Sequence, residues 1–217
     1  MNVIIPTRND YYYLENIVRE LLEINEINKI IIVNNNSYNK ITKIIKRISL
    51  ISPKCLYLEC EKIGKGEAIR RGLEEISKDP KDVIFIDADI ANFNKNIILL
   101  LRDALNNRSD LVKANFIRKN GQSISSFVLP ILKIKYPELN ISRPTGGIYG
   151  AKKKVINMIR IPNSWEVDLS ILIQAFKQGF SISEVFIGEI EDKKRSNASL
   201  EYSRKCLLNE LKILEAQ

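Results

Sequence analysis

Histidine is absent from this 217-residue sequence. Every arrangement that needs an imidazole therefore falls away, Ser-His-Asp and Cys-His catalysis and any histidine-ligated metal included. Only oxygen ligands remain for a metal, and those select hard cations such as Mg²⁺ or Mn²⁺. Cysteine is scarce. Cys55, Cys60 and Cys206 make an odd set with no C-x-x-C pair, which predicts neither a disulfide framework nor a zinc knuckle. Cys55 and Cys60 flank a short apolar run and read as small packing residues. No apolar run approaches the ~20 residues of a membrane span. Met1 leads almost directly into an apolar strand, without room for a signal peptide, and a cytoplasmic location is expected.

What is there suits one folded domain over residues 1–217. Apolar residues make up 45% of the chain, enough for a sizeable core. Lys and Arg number 34 against 26 Asp and Glu, a formal charge of +8. That balance favours anionic partners, whether nucleotides, phosphorylated metabolites, nucleic acid or an acidic membrane surface, without choosing among them. The abundance of Ile, Lys and Asn offers a plainer account, a solvated lysine-rich surface.

The first half alternates short apolar runs with longer amphipathic ones. Strands are predicted over 3–6, 30–33, 56–58, 83–86 and 111–116. Helices are predicted over 13–23, 41–48, 66–76 and 97–105, the third ended by Asp79-Pro80. Consecutive apolar positions in the strands fit an α/β fold with a mostly parallel sheet covered on both faces. In such sheets ligands bind at the carboxyl ends of the strands. Polar residues follow the strands at those ends: Thr7-Arg8-Asn9, Asn34-Asn35-Asn36 and Asp87-Ala88-Asp89. The second half is less regular. A helix over 123–135 interrupted at Pro130, a glycine-rich tract over 145–150, a helix over 169–176, a strand over 182–187 and a C-terminal helix over 200–214 are expected.

Four constellations carry chemistry. In Ile86-Asp87-Ala88-Asp89, two carboxylates leave a buried strand end with one residue between them, as a cation bridging a diphosphate requires. A turn capping the next helix accounts for a lone D-x-D equally well. Gly64-Lys65-Gly66 precedes a helix whose N-terminus favours anions, so Lys65 could hold a phosphate as a point charge. An ordinary loop is the alternative, and the chain has no Walker A loop. Thr145-Gly146-Gly147 suggests backbone that approaches a ligand closely, or a tight turn within a sheet. Glu166 and Asp168 open an apolar helix, either facing an acceptor hydroxyl as a base or stabilising the helix N-terminus.

Taken in order, these pieces resemble a known pattern. Ile4-Ile5-Pro6-Thr7 with Asn9, the 30–37 strand and loop, and Asp87-x-Asp89 resemble family 2 glycosyltransferases. The likeness is closer to glucosyl-3-phosphoglycerate synthases and mannosylglycerate-type enzymes. It rests on Gly64-Lys65-Gly66-Glu67-Ala68, Pro137-Glu138-Leu139, Pro144-Thr145-Gly146-Gly147 with Tyr149, and Val167-Asp168. The resemblance implies a GT-A fold and transfer of a hexose from a UDP- or GDP-sugar to a small acceptor such as a glycerate derivative. Residues 1–118 would form the nucleotide-sugar half, and 119–217 the acceptor side. Pro6 and Thr7 would border the base, with Asn34 beneath it, and Lys65 would meet the diphosphate. Asp87 and Ala88 would approach the ribose or donor sugar, and Thr145, Gly146 and Gly147 would line that sugar. Asp89 would bind the metal, with Asp87 close by. Glu166 and Asp168 would lie near the acceptor or donor sugar. Gly121, Gln122, Arg143, Gly147 and Asp168 would serve the acceptor, and Lys65, Glu166 and Asp168 the chemistry.

The sequence departs from this pattern at three places. Relatives carry Asp where Asn34 stands, which leaves the donor base open. Relatives supply a metal-binding histidine shortly after the strand ending near Gly188, where this chain offers Asp192. The acceptor-phosphate stretch Gly-Arg-x-Thr reads Gly121-Gln122-Ser123-Ile124 here, which leaves Arg118, Lys119 and Arg143 as candidates to replace the missing arginine. Other readings are a polyprenyl- or dolichyl-phosphate sugar transferase touching the membrane through an amphipathic C-terminal helix, and a non-catalytic nucleotide-sugar-binding module. The leucines of that helix, Leu207, Leu208, Leu211 and Leu214, read as a core or homodimer stripe. Nucleotidyl transfer lacks its glycine-rich signature after the first strand, and no aromatic-basic interleaving supports nucleic-acid binding.

Overall fold

The computed structural model describes residues 1–107, 109–119, 124–193 and 196–216. Four parallel strands lead: β1 (Asn2–Thr7), β2 (Lys29–Asn35), β3 (Cys55–Cys60) and β4 (Val83–Phe85). The intervening and following helices are α1 (Leu14–Leu22), α2 (Asn39–Ser49), α3 (Lys65–Glu75) and α4 (Asn96–Asn107). The consecutive isoleucines of β1 and β2 serve both faces at once. Ile5, Ile30 and Ile32 pack with Leu14, Ile17, Ile45, Ile98 and Leu101 of α1, α2 and α4. Ile4, Ile31 and Val33 pack on the other face with Ala68, Ile69 and Leu73 of α3. That division follows from the alternation of side chains along a strand.

The second half contains β5 (Leu111–Arg118), α5 (Ser125–Lys135), β6 (Tyr149–Ala151), α6 (Lys153–Ile156), α7 (Val167–Lys177), β7 (Ile182–Ile190) and α8 (Asn197–Glu215). The seven strands form one sheet in the order β3-β2-β1-β4-β6-β5-β7. Strand β6 enters antiparallel between β4 and β5, and β5 pairs parallel with β7. The predicted mostly parallel α/β sheet, the GT-A architecture, is therefore present with one reversed strand. The end of the glycine-rich tract is that strand. At three residues β6 is too short to show a periodicity, so it reads as part of a turn in the sequence.

Other boundaries shift for local reasons. Helix α5 runs through Pro130 and forgoes one backbone donor, while Val128 and Leu132 stay buried. The predicted start of that helix at Ser123 lies outside the described residues. Helix α8 begins earlier than its apolar stripe, because the Ser196 hydroxyl accepts from the Ser199 amide and caps it. Leu207, Leu211 and Leu214 are buried with Val128 and Leu132 of α5 and Leu169 and Ile173 of α7. Leu208 remains 40% exposed. Among the described residues no helix is long and apolar enough to cross a membrane.

Candidate functional site

The carboxyl ends of β1, β2 and β4 open into a cleft of about 710 Å³ that α5, α7 and α8 close from the other side. Pro6, Thr7, Lys65, Asp87, Ala88, Asp89, Arg143, Thr145, Gly146, Gly147, Asp168 and Asp192 all line it. The structure thus gathers in one place residues that lie up to 186 positions apart in the chain, from Pro6 to Asp192.

Its floor is a buried charge cluster. Lys65 Nζ lies 2.7 Å from Asp87 Oδ1 and 2.7 Å from Asp168 Oδ2. The lysine side chain is 8% exposed and that of Asp168 4%. Burial alone would lower the Lys65 pKa, but Asp168 and Asp87 outweigh it and hold the ammonium above its ordinary value. Asp168 moves up instead, because burial outweighs the help of Lys65 and Lys113. Its second oxygen, Oδ1, is buried and has no hydrogen-bond partner. The Tyr149 hydroxyl faces Asp168 without a well-formed hydrogen bond and is likewise unsatisfied. Asp87 rests against the backbone of Gly147, where a Cβ would stand 2.1 Å from its Oδ2. Only glycine leaves that space.

Asp89 is partly buried and carries no ion pair among the described residues. Burial, then the charges of Asp87, Asp192 and Asp10, push its pKa up to about 7. The three neighbours each have a cation: Lys65 for Asp87, Arg118 for Asp192 at 2.8 Å and Lys193 for Asp10 at 3.0 Å. The position around Asp89 is therefore short of positive charge, and its donors are all hard oxygens, a set that fits Mg²⁺ or Mn²⁺. Asp192 reaches the motif through an antiparallel bridge with Ile90. Among the described residues no three acidic groups are already close enough together to hold an ion, and Asp192 is turned to Arg118.

The loop Gly64-Lys65-Gly66 differs from its sequence reading. A Cβ at Gly64 would meet the Asn163 carbonyl oxygen at 2.1 Å, and one at Gly66 the Pro162 oxygen at 1.8 Å. The amides of Gly66 and Glu67 donate to the carbonyls of Ser164 and Asn163 at 3.2 and 3.0 Å. Arg70 adds bonds to the Ile161 carbonyl and to Asn163 Oδ1. The glycines permit close approach of the chain's own 161–164 loop, and the first turn of α3 holds that loop. Lys65 carries its side chain into the cleft, which Gly64 also lines. The same latch fixes Trp165, 40% exposed in the cleft with Lys65 Nζ 6.0 Å from its ring centre.

Two sequence candidates do not reach the cleft wall. Asn34 is buried on the α2 face, where its amide nitrogen donates to Thr42 Oγ1 at 3.1 Å and to the Tyr57 hydroxyl at 3.0 Å. Strand alternation turns the next residue the other way. Asn35 lines the cleft, accepting from the Gly64 amide at 2.8 Å. Glu166 is also buried and away from the cleft, its Oε1 folded back onto the Ser164 amide at 2.9 Å. Gly121 and Gln122 lie outside the described residues.

The wall opposite the acids is basic and partly aromatic. The Arg143 guanidinium stands 5.1 Å and that of Arg118 5.8 Å from the Phe116 ring centre. Burial, followed by the charge of Arg118, lowers the Arg143 pKa. The Arg143 and Ser142 amides both donate to Glu184 Oε1, at 2.7 and 2.8 Å, which anchors this loop to β7. Lys119, the third cation weighed for this role, pairs with Glu191 at 2.9 Å and stays outside the cleft. Sequence reasoning missed Lys113, a fully buried lysine on β5. A lysine at the third position of the otherwise apolar-to-neutral run Leu111-Val112-Lys113-Ala114 was its available signal.

A family model described as glycosyl transferase family 2 matches residues 2–151. None of the curated proteins matches the chain. Among solved structures, one described as a mycobacterial protein superimposes with a TM-score of 0.87 at 21% identity, covering 98% of this chain and 74% of the other. Glucosyl-3-phosphoglycerate synthase from Mycobacterium tuberculosis, in complex with Mn²⁺, UDP and phosphoglyceric acid, gives a TM-score of 0.86 at 20% identity. The match covers 98% of this chain and 77% of the synthase. The same synthase with Mn²⁺, UDP-glucose and phosphoglyceric acid gives 0.86 at 20%, covering 98% and 78%. Likeness at this identity speaks for the fold.

Proposed function

The chain belongs to glycosyl transferase family 2, and on that premise we propose that it transfers a hexose from a nucleoside-diphosphate sugar to a small anionic acceptor, with the help of a divalent cation. The observation that carries this reading is the pairing of Lys65 with Asp87 and Asp168 beside the uncompensated Asp89. A cleft floor with one fixed ammonium and one carboxylate short of positive charge suits a diphosphate and a metal together. The solved synthase complexes, which hold UDP, UDP-glucose, Mn²⁺ and phosphoglyceric acid, support the same assignment by analogy of fold.

In this reading Asp89 would hold Mg²⁺ or Mn²⁺, with Asp192 as the second carboxylate and Asp87 close by. The cation, when bound, would offset charge on the departing diphosphate. Lys65 stays protonated at every working pH and presents a fixed positive charge to the same phosphates. Pro6 and Thr7 border the base, and Asn35 takes the wall position first expected for Asn34. Gly146 and Gly147 line the transferred sugar. The unpartnered Oδ1 of Asp168 accepts a hydroxyl of that sugar or of the acceptor, which satisfies an otherwise costly buried oxygen. Arg143 and Arg118 face the acceptor and replace the arginine missing at Gln122. Residues 1–118 then supply most of the nucleotide side and 119–217 most of the acceptor side.

The packing of Leu207, Leu211 and Leu214 against α5 and α7 supports a small acceptor over a lipid phosphate at a membrane. The test is a thermal-shift panel of UDP, GDP, ADP and dTDP, each with and without Mn²⁺. One diphosphate should raise the melting temperature strongly, and only with the metal, because a ligand of the folded state stabilises it by mass action. Equal, metal-independent shifts, or none, would overturn the donor assignment.

A further inference from the structure

The register of the sheet lines up four side chains on the α7 face: Phe85 of β4 opposite Tyr149 of β6, Tyr149 opposite Lys113 of β5, and Lys113 opposite Glu184 of β7. Lys113 is 1% exposed. Its Nζ donates to the Gly146 carbonyl at 2.5 Å and lies 4.3 Å from the centre of the Tyr149 ring. Among the described residues it has no ion pair. The charged groups around it are Asp168 on α7, Lys65 on α3, Asp87 after β4 and Glu184 on β7. Glu184 is occupied by the Ser142 and Arg143 amides. A buried ammonium without a carboxylate of its own is costly, and substituting a hydrophobic residue of similar length is often neutral or stabilising. Packing alone therefore does not account for a lysine here.

What Lys113 holds is informative. Gly146 adjoins Gly147, and Gly147 is the surface on which the Asp87 carboxylate rests. Asp87 in turn is the partner of Lys65. A charge-assisted bond to the Gly146 carbonyl thus sets the height of the turn that carries both the sugar-lining glycines and the seat of Asp87. The same ammonium contributes to keeping Asp168 charged.

We infer that Lys113 is a positioning residue for the hexose subsite, acting from beneath the floor through the Gly146 carbonyl and the field on Asp168. This inference rests on the donor reading above. Its effect falls on the sugar and not on the nucleotide, because Pro6, Thr7 and Asn35 lie on the other side of Asp87 in the sheet order.

The experiment measures the affinities of UDP and UDP-glucose, each with Mn²⁺, by calorimetry in wild type and in Lys113→Met. The variant should remain folded, bind UDP within about twofold of wild type, and lose about tenfold in UDP-glucose affinity, as a displaced subsite would. Lys113→Gln, which shortens the side chain away from Gly146, serves the same comparison should the methionine variant prove insoluble. Equal changes for both ligands, or none, would overturn the inference while leaving the donor reading intact. Unfolding of both variants would identify the lysine as a folding element and overturn it too. A wild-type protein that binds none of UDP, UDP-glucose, GDP and GDP-glucose would overturn the donor reading together with the inference.

Discussion

The two walls of the cleft carry opposite charge and are made in different ways. The acidic wall presents Asp10, Asp87 and Asp89 from loops that directly follow parallel strands. The basic wall presents Arg118 at the end of β5 and Arg143 in the loop before β6, both against Phe116. Asp192 crosses between them, seated beside Ile90 on the acidic side and paired with Arg118 on the basic one. Parallel strand ends converge by topology, so the acidic wall needs little beyond the sheet itself. The basic wall needs a reversed strand and an anchoring glutamate, Glu184, contributed from β7. In the functional reading proposed here, the first wall takes a cation with its diphosphate and the second takes an anion.

The largest expected effect comes from erasing the acid that lacks a cation. Asp89→Ala should lower turnover by about a thousandfold or more, since it removes the carboxylate that would hold the metal. The variant should also lose the Mn²⁺-dependent part of the UDP thermal shift. Retention of that part would show that the two walls differ in charge but not in metal binding.

Lys65→Ala should come next, with its mark on stability as well as activity. Asp168 would be left buried and unpaired, at a cost of about 3–5 kcal/mol in urea unfolding. The sign of its pH dependence is fixed. The Lys65 pKa is raised from 10.5 in the folded state, so its contribution is complete below that value and is lost only as pH rises past it. The stability deficit of the variant should therefore be no smaller at pH 9 than at pH 6, where the unpaired carboxyl of Asp168 can take up a proton, and a deficit that vanishes by pH 9 would contradict the pairing.

Gly147→Ala tests the seat of Asp87. The new methyl would meet the carboxylate, and a shift of about 1 Å at the cleft floor should cost on the order of a hundredfold in turnover. Normal turnover in this variant would mean that Asp87 moves freely. Arg143→Ala tests the opposite wall. The acceptor KM should rise by about tenfold, as expected on loss of one charge-assisted contact, with UDP affinity unchanged. A parallel loss of UDP affinity would merge the two walls into one site. The smallest effect belongs to Asn34→Ala, which should cost about 1 kcal/mol of stability for its buried hydrogen bonds and leave donor affinity within about twofold. A large loss of donor affinity would return Asn34 to the base pocket.

The Asp87 and Asp89 part of the acidic wall is legible in the sequence because its signal is local, whereas Asp10 gives no such signal. Short apolar runs end in Thr7, in Asn34-Asn35-Asn36 and in Asp87-x-Asp89, and parallel topology does the rest. Lys65 and Asp168 were legible as cleft residues, but their ion pair was not, since it joins positions 103 apart. The glycines beside Lys65 misled in one respect. Glycine density reports close backbone approach and does not say whether a ligand or the chain's own loop is the neighbour; here Asn163 and Pro162 fill the space. Asn34 and Asn35 could not be separated without knowing which face of β2 meets α2. Lys113 was hidden because its partner is a backbone carbonyl, which leaves no trace in side-chain patterns.

The latch between α3 and the 161–164 loop has a further, practical consequence. It presents Trp165, the only tryptophan in the chain, to the cleft. Indole emission from this protein therefore comes from a single site at the cleft wall, about 6.0 Å from the ammonium of Lys65. The molecule carries its own optical reporter, and a titration followed by indole fluorescence would read cleft occupancy with neither a label nor a second tryptophan elsewhere in the fold.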